Sequence, residues 1–425
     1  MREMRKTGIP WLPELAEDFS VGYVKQYFYI SKDLSNEGEP ERVLKLARAG
    51  IVEKDVTTNE GQMAASYSGY NKVKAGDLLL NPMDLYSGAN CNVSELNGVI
   101  SPAYSNLRAK KASLVVPKFY DYYFKSQYWL MAMFAHGKGV SFDNRWTLNN
   151  DSLRAYEIPV APYVVQQRIV ERIQAEERKV DALIEKLQEQ IEKLKAYKQS
   201  LITEVVTKGL NPSVPMKDSG VEWLGEIPEH WEVTRIKNLF DLRNERNDEA
   251  DLSKVNLISL YTDLGVVQHS DIVETTGNRA VTAEGYKFVH KNDIVVNIIL
   301  CWMGAVGMSN YDGVTSPAYD IYRPKEGTLS EYYHYLFRTK RFNGECYRYG
   351  RGIMMMRWRT YSTEFRAIDI PCPPHDEQVA IIEHLKAKSY QIDQLIAIKQ
   401  KKIDKLNDYK KSLIYEYVTG KKEVL

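Results

Sequence analysis

The stretch YKQSLITEVVTKG at residues 197–209 recurs 212 residues later as YKKSLIYEYVTGK at residues 409–421. The likeness extends upstream, because residues 158–208 align with residues 370–420 without a gap and 22 of the 51 positions are identical. A gapless match of this density is not expected from shared helical composition. The sequence therefore predicts an internal duplication, in which one structural unit is written twice.

The duplication continues outside these segments but weakens inside the regions between them. Arg145-Trp146 matches Arg357-Trp358 at the same offset of 212 residues. The motif SPAY at residues 101–104 corresponds to SPAY at residues 316–319, where the offset has grown to 215 residues. Small insertions and deletions therefore interrupt the interior of each domain, while the frame around the interior is kept.

An apolar stripe runs through the repeated segment at spacings of three, four or seven residues. This spacing predicts a long amphipathic helix from about Gln166 to Thr207, spanning roughly 60 Å. Gly209 and Gly420 follow the two stripes as suitable stop signals. The stripe contains Ile173, Val180, Ile184, Leu187, Ile191, Leu194, Leu201 and Val205 in the first copy, and Leu385, Ile392, Ile396, Ile403, Leu406, Leu413 and Tyr417 in the second.

Two helices of this length most simply bury their stripes against each other, as an antiparallel coiled-coil spacer. The alternative is that each helix lies on its own domain as an ordinary core helix. Asp181, Asp393 and the lysines of the helices are interpreted as solvated faces. Helix pairing or partner docking is predicted for Ile184, Leu187, Ile191, Leu194, Ile396, Ile403 and Leu406.

The regions before the helices contain short β-rich runs with turn signals, such as KAGD before LLL at residues 74–80. The predicted fold class is α+β, with two mixed-sheet domains joined by two long antiparallel coiled-coil helices in a pseudo-twofold internal duplication. The predicted boundaries are 1–157 for the first domain, 158–209 for the first helix, 210–221 for a linker, 222–369 for the second domain and 370–421 for the second helix.

The bulk composition indicates a soluble protein and points to no particular partner. The 57 basic and 56 acidic residues leave a formal net charge of +1. The four cysteines form no C-x-x-C pair, so a zinc site is not expected and a reducing compartment fits. No segment approaches the ~20 apolar residues of a membrane span, and the first residues lack the apolar core of a signal peptide. We expect a cytoplasmic protein.

The sequence contains no recognisable catalytic motif. It lacks a phosphate-binding G-x-x-x-x-G-K-S/T loop, a G-x-G-x-x-G fingerprint, a G-x-S-x-G elbow and an H-E-x-x-H pair. Residues 81–84 read NPMD, which begins like the N-P-P-Y/F loop of amino-methyltransferases but lacks the second proline and the aromatic residue. We therefore expect that this chain is not an enzyme by itself, and we predict no catalytic residue and no metal ligand.

Two basic patches lie at matching places in the two domains. Residues 104–145 carry seven basic and two acidic residues, and residues 338–366 carry eight basic and two acidic residues. Such clusters are typical of nucleic-acid surfaces, although any single member can be a solvated cation or part of a salt bridge, and Arg145 and Arg357 belong to the repeated frame. DNA binding is predicted for Lys110, Lys111, Lys138, Arg145, Arg338, Lys340, Arg341, Arg348, Arg351 and Arg357.

Short motifs mark where the long helices and the second domain begin. IPCPPHDEQ at residues 370–378 and the looser copy at residues 158–166 resemble the boundary that opens each long helix in the specificity subunits of type I restriction–modification systems. GVEWLGEIPEHWEV at residues 220–233 resembles the usual opening of that family's recognition domains. The corresponding first opening, LPEL at residues 12–15, is degenerate, so the boundary of the first domain is less well marked.

The resemblance implies a role for each part of the chain. Each globular domain would be a target recognition domain for one half of a split double-stranded DNA sequence, and the helices would fix the distance between the halves. Two modification subunits, which methylate adenine, and two restriction subunits would complete the complex. S-adenosylmethionine, ATP and Mg would then bind to those partners and not to this chain.

Two other interpretations remain open at the level of the sequence. The chain could be the recognition subunit of a related system, in which the partner fuses cleavage and methylation in one polypeptide. It could also be a coiled-coil scaffold that does not bind DNA, although the paired basic patches count against this interpretation.

Overall fold

The computed structural model divides the chain into two compact units. Unit 1 comprises Met1–Gln188 with Gln400–Leu425, and unit 2 comprises Glu189–Lys399. Each unit therefore contains one globular domain and a part of each long helix. The structure describes residues 2–36, 38, 40–47, 50–55, 66–83, 85, 91–139, 146–271, 282–352 and 358–424.

The strands of the described residues number twelve in each domain. In unit 1 they are β1 (Met4–Ile9), β2 (Leu12–Ala16), β3 (Ser20–Tyr23), β4 (Phe28–Ile30), β5 (Val43–Ala47), β6 (Gly50–Glu53), β7 (Asn71–Val73), β8 (Leu78–Leu80), β9 (Cys91–Val93), β10 (Gly98–Ile100), β11 (Ser105–Ala109) and β12 (Glu157–Val160). In unit 2 they are β13 (Met216–Asp218), β14 (Glu226–Pro228), β15 (Glu232–Arg235), β16 (Phe240–Arg243), β17 (Ile258–Tyr261), β18 (Gly265–Gln268), β19 (Lys287–Val289), β20 (Ile294–Asn297), β21 (Val306–Met308), β22 (Gly313–Thr315), β23 (Tyr319–Pro324) and β24 (Asp369–Cys372).

The helices are two long ones and eight short ones within the described ranges. The first part of the chain has α1 (Val24–Tyr27), α2 (Pro117–Trp129), α3 (Ala132–Ala135), α4 (Asn150–Arg154) and α5 (Tyr163–Lys208). The second part has α6 (Ile236–Leu239), α7 (Ser330–Phe337), α8 (Lys340–Tyr349), α9 (Ser362–Phe365) and α10 (His375–Val418).

The two domains pair their strands in the same order. A four-stranded antiparallel sheet has the order β4-β11-β8-β9 in unit 1 and β16-β23-β20-β21 in unit 2. In unit 1, β10 runs parallel to β5 and antiparallel to β7. In unit 2 a single parallel bridge joins Leu257 to Val314 at the corresponding place. The predicted α+β class with mixed sheets is confirmed.

Each long helix starts after a strand that closes its domain. The segments 157–160 and 369–372, which the sequence assigned partly to the helices, are β12 and β24, and they pair with β3 and β15. A proline precedes the first helical residue in both copies, a position where its missing N–H costs nothing. The predicted linker region also contains a short strand, β13.

Within each unit the two long helices run antiparallel. In unit 1, Lys410 Nζ donates to Asp181 Oδ1 at 2.8 Å, and Arg172 Nε donates to the Tyr417 hydroxyl at 3.1 Å. In unit 2, Lys198 Nζ bonds Asp393 at 2.7 Å. The antiparallel pairing is therefore confirmed. Asp181 and Asp393 are 56% and 55% exposed, as expected of solvated faces, and each carboxylate also forms an ion pair with the other helix.

The core of each unit also joins its globular domain to both helices. In unit 1, Leu413 and Tyr417 of α10 belong to the same buried cluster as Phe19 and Tyr120 of the domain and Ile173 of α5. In unit 2 the corresponding cluster contains Trp231, Phe337, Leu385 and the α5 residues Val205 and Val206. Each domain therefore holds the beginning of one long helix and the end of the other.

Candidate nucleic-acid interface

The basic residue Lys138 of the first domain lies on a backbone bridge that we call the glycine–tryptophan bridge, after its neighbours Gly137 and Trp146. The backbone of Lys138 forms a two-way bridge with Thr147, at 2.9 and 3.0 Å. The neighbouring Trp146 donates its indole N–H to the Phe134 carbonyl at 2.8 Å. The Lys138 side chain is exposed and forms no ion pair within the described residues. The bridge therefore fixes the backbone beneath a cation that remains available.

The second domain repeats this bridge with arginines. Arg351 and Arg359 exchange backbone hydrogen bonds of 2.8 and 3.0 Å. Trp358 donates its indole N–H to the Tyr347 carbonyl at 2.9 Å. The Arg351 guanidinium is 3.0 Å from Glu364 but its side chain remains 75% exposed. Glu364 is only 16% exposed, so the pair anchors Arg351 to the domain while most of the arginine side chain stays in solvent.

The G-x-G pattern at this bridge has a packing explanation. A Cβ added to Gly137 would overlap the indole of Trp146, and one added to Gly350 would overlap the indole of Trp358. A side chain at either glycine would displace the indole. The first glycine of each pattern, at residues 137–139 and 350–352, is thus explained by close packing of the backbone against a tryptophan.

Lys340 and Arg341 form a second group of exposed cations, at the start of α8. Thr339 caps this helix by accepting the Phe342 backbone N–H at 3.3 Å. Cations in the first turn oppose the helix dipole, so their placement does not stabilise the helix. An anionic partner such as a DNA phosphate would compensate for this unfavourable placement.

Other members of the predicted basic patches are used inside the fold. The Arg338 guanidinium donates to four backbone carbonyls, those of Gly304, Val306, Thr262 and Asp263, at 2.8 to 3.4 Å. Because its N–H groups already donate to these backbone carbonyls, Arg338 is not part of the candidate interface.

Two further cations of the predicted interface have internal partners near the surface. The Arg348 guanidinium donates to both carboxylate oxygens of Glu345, and Lys110 Nζ donates to the Lys25 carbonyl at 2.7 Å. Lys111 is exposed without an ion pair within the described part of the chain. Arg145 and Arg357 lie outside the described residues.

The polar interiors of the two domains differ. In the first domain the buried carboxylate of Asp121 bonds Lys118 at 2.7 Å and Lys125 at 2.9 Å, and the Cys91 thiol lies 3.4 Å from it. Burial of the Cys91 thiol, together with the charge of the nearby Asp121 carboxylate, holds its pKa well above its usual range. The patch counted from the sequence therefore includes two lysines that neutralise a core carboxylate.

In the second domain a histidine takes the place of that carboxylate. His334 Nδ1 accepts the Met308 backbone N–H at 3.1 Å. Burial lowers the pKa of His334 to about 4, and the charge of Arg338 contributes to the same shift. The imidazole is therefore neutral at physiological pH and acts as a structural acceptor.

The NPMD segment has a turn role that both domains share. The Asn81 side chain accepts the Met83 backbone N–H at 3.0 Å, and the Asn297 side chain accepts the Ile299 backbone N–H at 3.0 Å. Asx turns of this kind stabilise a chain reversal after a strand. Asp84 lies outside the described residues.

On the long helices, the residues predicted for pairing or docking differ in burial. Ile191 and Ile403 are buried, whereas Ile184, Leu187, Leu194, Ile396 and Leu406 are half-buried. The sequence interpretation missed four exposed apolar residues beside this stripe, namely Leu183, Tyr197, Leu395 and Tyr409. Their identity in both copies of the repeat was the signal that could have revealed them.

Two further kinds of feature, a metal-binding cluster and a membrane-spanning helix, are absent from the described residues. No group of three or more His, Cys, Asp and Glu side chains there is arranged to hold a metal ion. No helix among those residues combines the length and the apolar character needed to cross a membrane.

Comparisons with known proteins agree with the motifs. Residues 228–408 match the family model described as type I restriction modification DNA specificity domain. The chain is similar to the MjaVIII specificity subunit of a type I restriction enzyme from Methanocaldococcus jannaschii, with 24% identity over 93% of this chain and 86% of that one.

Solved structures share the fold. A chain from work on complex assembly and conformational transition of the type I R-M system superposes with a TM-score of 0.66 at 13% identity, covering 95% of this chain and 98% of its own. The HsdS subunit from Thermoanaerobacter tengcongensis gives a TM-score of 0.51 at 14% identity, covering 96% and 98%. The findings confirm the resemblance that the motifs indicated, to the specificity subunits of type I restriction–modification systems.

Proposed function

We propose that this chain is the non-catalytic DNA-recognition subunit of a type I restriction–modification complex in the cytoplasm. The observation that carries the proposal is the duplicated domain, which keeps one strand order twice and presents a different exposed cation at the same backbone bridge, Lys138 in the first copy and Arg351 in the second. Two related domains with different exposed groups suit the reading of two different half-sites. The domains would bind DNA through the exposed cations of the glycine–tryptophan bridge and of α8.

The long helices would act as the spacer and as the docking site for partners. Because each domain packs on the beginning of one helix and the end of the other, the helix length would set the separation of the half-sites. Two modification subunits would bind along the helices, and two restriction subunits would join them. We propose that S-adenosylmethionine, ATP and Mg are bound by those partners.

A mobility-shift assay at a stated salt concentration tests the recognition role. The chain, with and without its modification subunit, is mixed with DNA carrying both half-sites, one half-site or neither. We expect tight binding only with both half-sites and with the partner, since phosphate contacts alone give weak and salt-sensitive binding. Binding that is indifferent to both half-sites would refute the proposal.

A paired deletion tests the spacer role. Removing residues 186–192 and 398–404 shortens both helices by one heptad, or about 10 Å. At 3.4 Å per base pair, the preferred spacer should shorten by about three base pairs while each half-site sequence is unchanged. A spacer of unaltered length would contradict the spacer role.

A further inference from the structure

The helix pair of unit 1 exposes two large apolar side chains beside the ion pair of Asp181 and Lys410. Leu183 is 51% exposed and Tyr409 is 48% exposed. With Ile184 at heptad position a, both residues occupy position g, which flanks the apolar stripe. In an antiparallel pair the g positions of the two helices lie on the same side. Unit 1 therefore presents a Leu–Tyr pair on one flank.

The helix pair of unit 2 carries the same two side chains beside the ion pair of Lys198 and Asp393. Leu395 and Tyr197 are the repeat equivalents of Leu183 and Tyr409, and they are 47% and 57% exposed. They occupy the same heptad position. An exposed apolar surface that is written twice fits one partner bound in two copies.

The surroundings of the two flanks differ in chemistry. In unit 2, Ile398 follows Leu395 by three residues, so it adjoins it on the helix face. Ile398 is 60% exposed. The equivalent residue in unit 1 is Lys186, which is exposed and forms no side-chain hydrogen bond or ion pair within the described residues.

We infer that the two flanks bind the same modification subunit with unequal affinity, and that the flank of unit 2 is filled first. This inference rests on the proposed function, in which two modification subunits dock on the helices. Burying a large apolar side chain improves affinity by about tenfold or more. An exposed ion pair improves it by at most about fivefold. Ile398 in unit 2 therefore outweighs Lys186 in unit 1.

The partner surface follows from what the two flanks share and where they differ. It is apolar at its centre, to contact the Leu–Tyr pair, and carries a carboxylate at its margin, to contact Lys186 of unit 1. Because exposed ion pairs are screened by salt, binding to the flank of unit 1 depends more strongly on ionic strength.

Titration of the full-length chain with its modification subunit, by calorimetry and native mass spectrometry, tests this inference. The wild-type chain should bind two copies with dissociation constants that differ by roughly tenfold. Added salt should weaken the second step more than the first.

Residue exchanges between the two copies give matched variants. Ile398→Lys should make both steps weak, and Lys186→Ile should make both steps tight. Exchanging Glu192→Asp with Asp404→Glu, two exposed carboxylates at equivalent positions, should change neither step. Thermal unfolding of each variant shows whether the helix pairs remain intact.

Two results would overturn the inference in distinguishable ways. Equal steps in the wild-type chain, or unequal steps that neither exchange alters, would refute the unequal affinity and leave helix docking in place. Two copies still bound after Leu183, Tyr197, Leu395 and Tyr409 are all replaced by aspartate would refute docking on this flank and move the docking site of the proposed function to another face of the helices.

Discussion

The helices α2 and α7 occupy the same place in the two domains but are held by different polar chemistry. Tyr120 of α2 and Tyr333 of α7 each make an edge-to-face contact with a strand phenylalanine, Phe28 at 5.1 Å and Phe240 at 5.5 Å. The next residue is Asp121 in α2, where two lysines neutralise it, and a neutral histidine in α7.

This difference shows how a duplicated scaffold can diverge. The aromatic packing positions the helix and is kept, whereas the buried polar group only needs some partner that satisfies it. Once lysines or backbone groups provide that partner, the domain can change its polar interior without changing its strand order.

The largest expected effect comes from breaking the carboxylate centre of the first domain. Asp121→Asn leaves Lys118 and Lys125 without their counter-charge, and breaking a buried pair in this way costs about 3 kcal/mol or more. Denaturant unfolding, followed by hydrogen exchange in the first domain, measures the loss. The control Asp151→Asn removes an ion pair whose carboxylate is 91% exposed and should change little. Equal losses in the two variants would contradict the role of Asp121.

The pH dependence of the second domain gives the next effect. His334 is neutral when folded, with a pKa of about 4, whereas an unfolded histidine titrates near its ordinary value of 6.5. Its contribution to stability is therefore complete above pH 6.5 and is lost as the pH falls toward 4, by at most about 3 kcal/mol. His334→Gln should flatten this part of the pH profile. Identical profiles of stability against pH for the wild-type chain and the His334→Gln variant would rule out His334 as the origin of the pH dependence.

A change in the glycine–tryptophan bridge should lower the stability by less than the two changes above, and it should also weaken DNA binding. Gly350→Ala displaces the Trp358 indole and breaks its bond to the Tyr347 carbonyl, at a cost of about 1–2 kcal/mol. The same variant should weaken DNA binding, because Arg351 loses its fixed backbone. Thermal unfolding and the mobility shift measure the two effects.

A neighbouring glycine supplies the control for this variant. Gly344 lies in α8, and a Cβ added there meets no atom within 4 Å. Gly344→Ala should therefore stabilise the helix by about 0.5–1 kcal/mol and leave DNA binding unchanged. If Gly350→Ala behaves like Gly344→Ala, the bridge does not position the cations.

The smallest effect concerns the ion pairs between the long helices. A double-mutant cycle on Lys198 and Asp393 should give a coupling of about 0.5 kcal/mol, because both side chains are partly exposed. The equivalent cycle on Lys410 and Asp181 should give the same value, and added salt should reduce both. Couplings that differ strongly between the two copies would show that the helix frame has also diverged.

The frame was predictable from the sequence because its signals are local and repeated. Heptad spacing and the matching ends of the long helices predicted the helices and their antiparallel pairing. The first helix was predicted from about Gln166 to Thr207 and extends over Tyr163–Lys208. The predicted domain limits at 158 and 370 instead fall inside β12 and β24, which pair as closing strands. That pairing depends on residues more than 130 positions away.

The candidate interface was less predictable, because counting charges does not distinguish a cation at the surface from one that neutralises a buried group. Lys118 and Lys125 bond the buried Asp121, and Arg338 bonds backbone carbonyls. Only the positions of their partners separate these residues from Lys138 and Lys340. The exposed Leu–Tyr pairs of the helices were missed for the opposite reason, since isolated exposed apolar residues are common and only their repetition is informative.

Sequencing of methylated bases in the host genome, with the gene for this chain intact and deleted, tests the central claim most directly. Two different recognition domains on a fixed spacer predict methylated adenines in a split motif, with two unlike halves at a constant separation, and the loss of this methylation when the gene is deleted. Methylation that persists without the gene, or a motif that is continuous, would contradict the account.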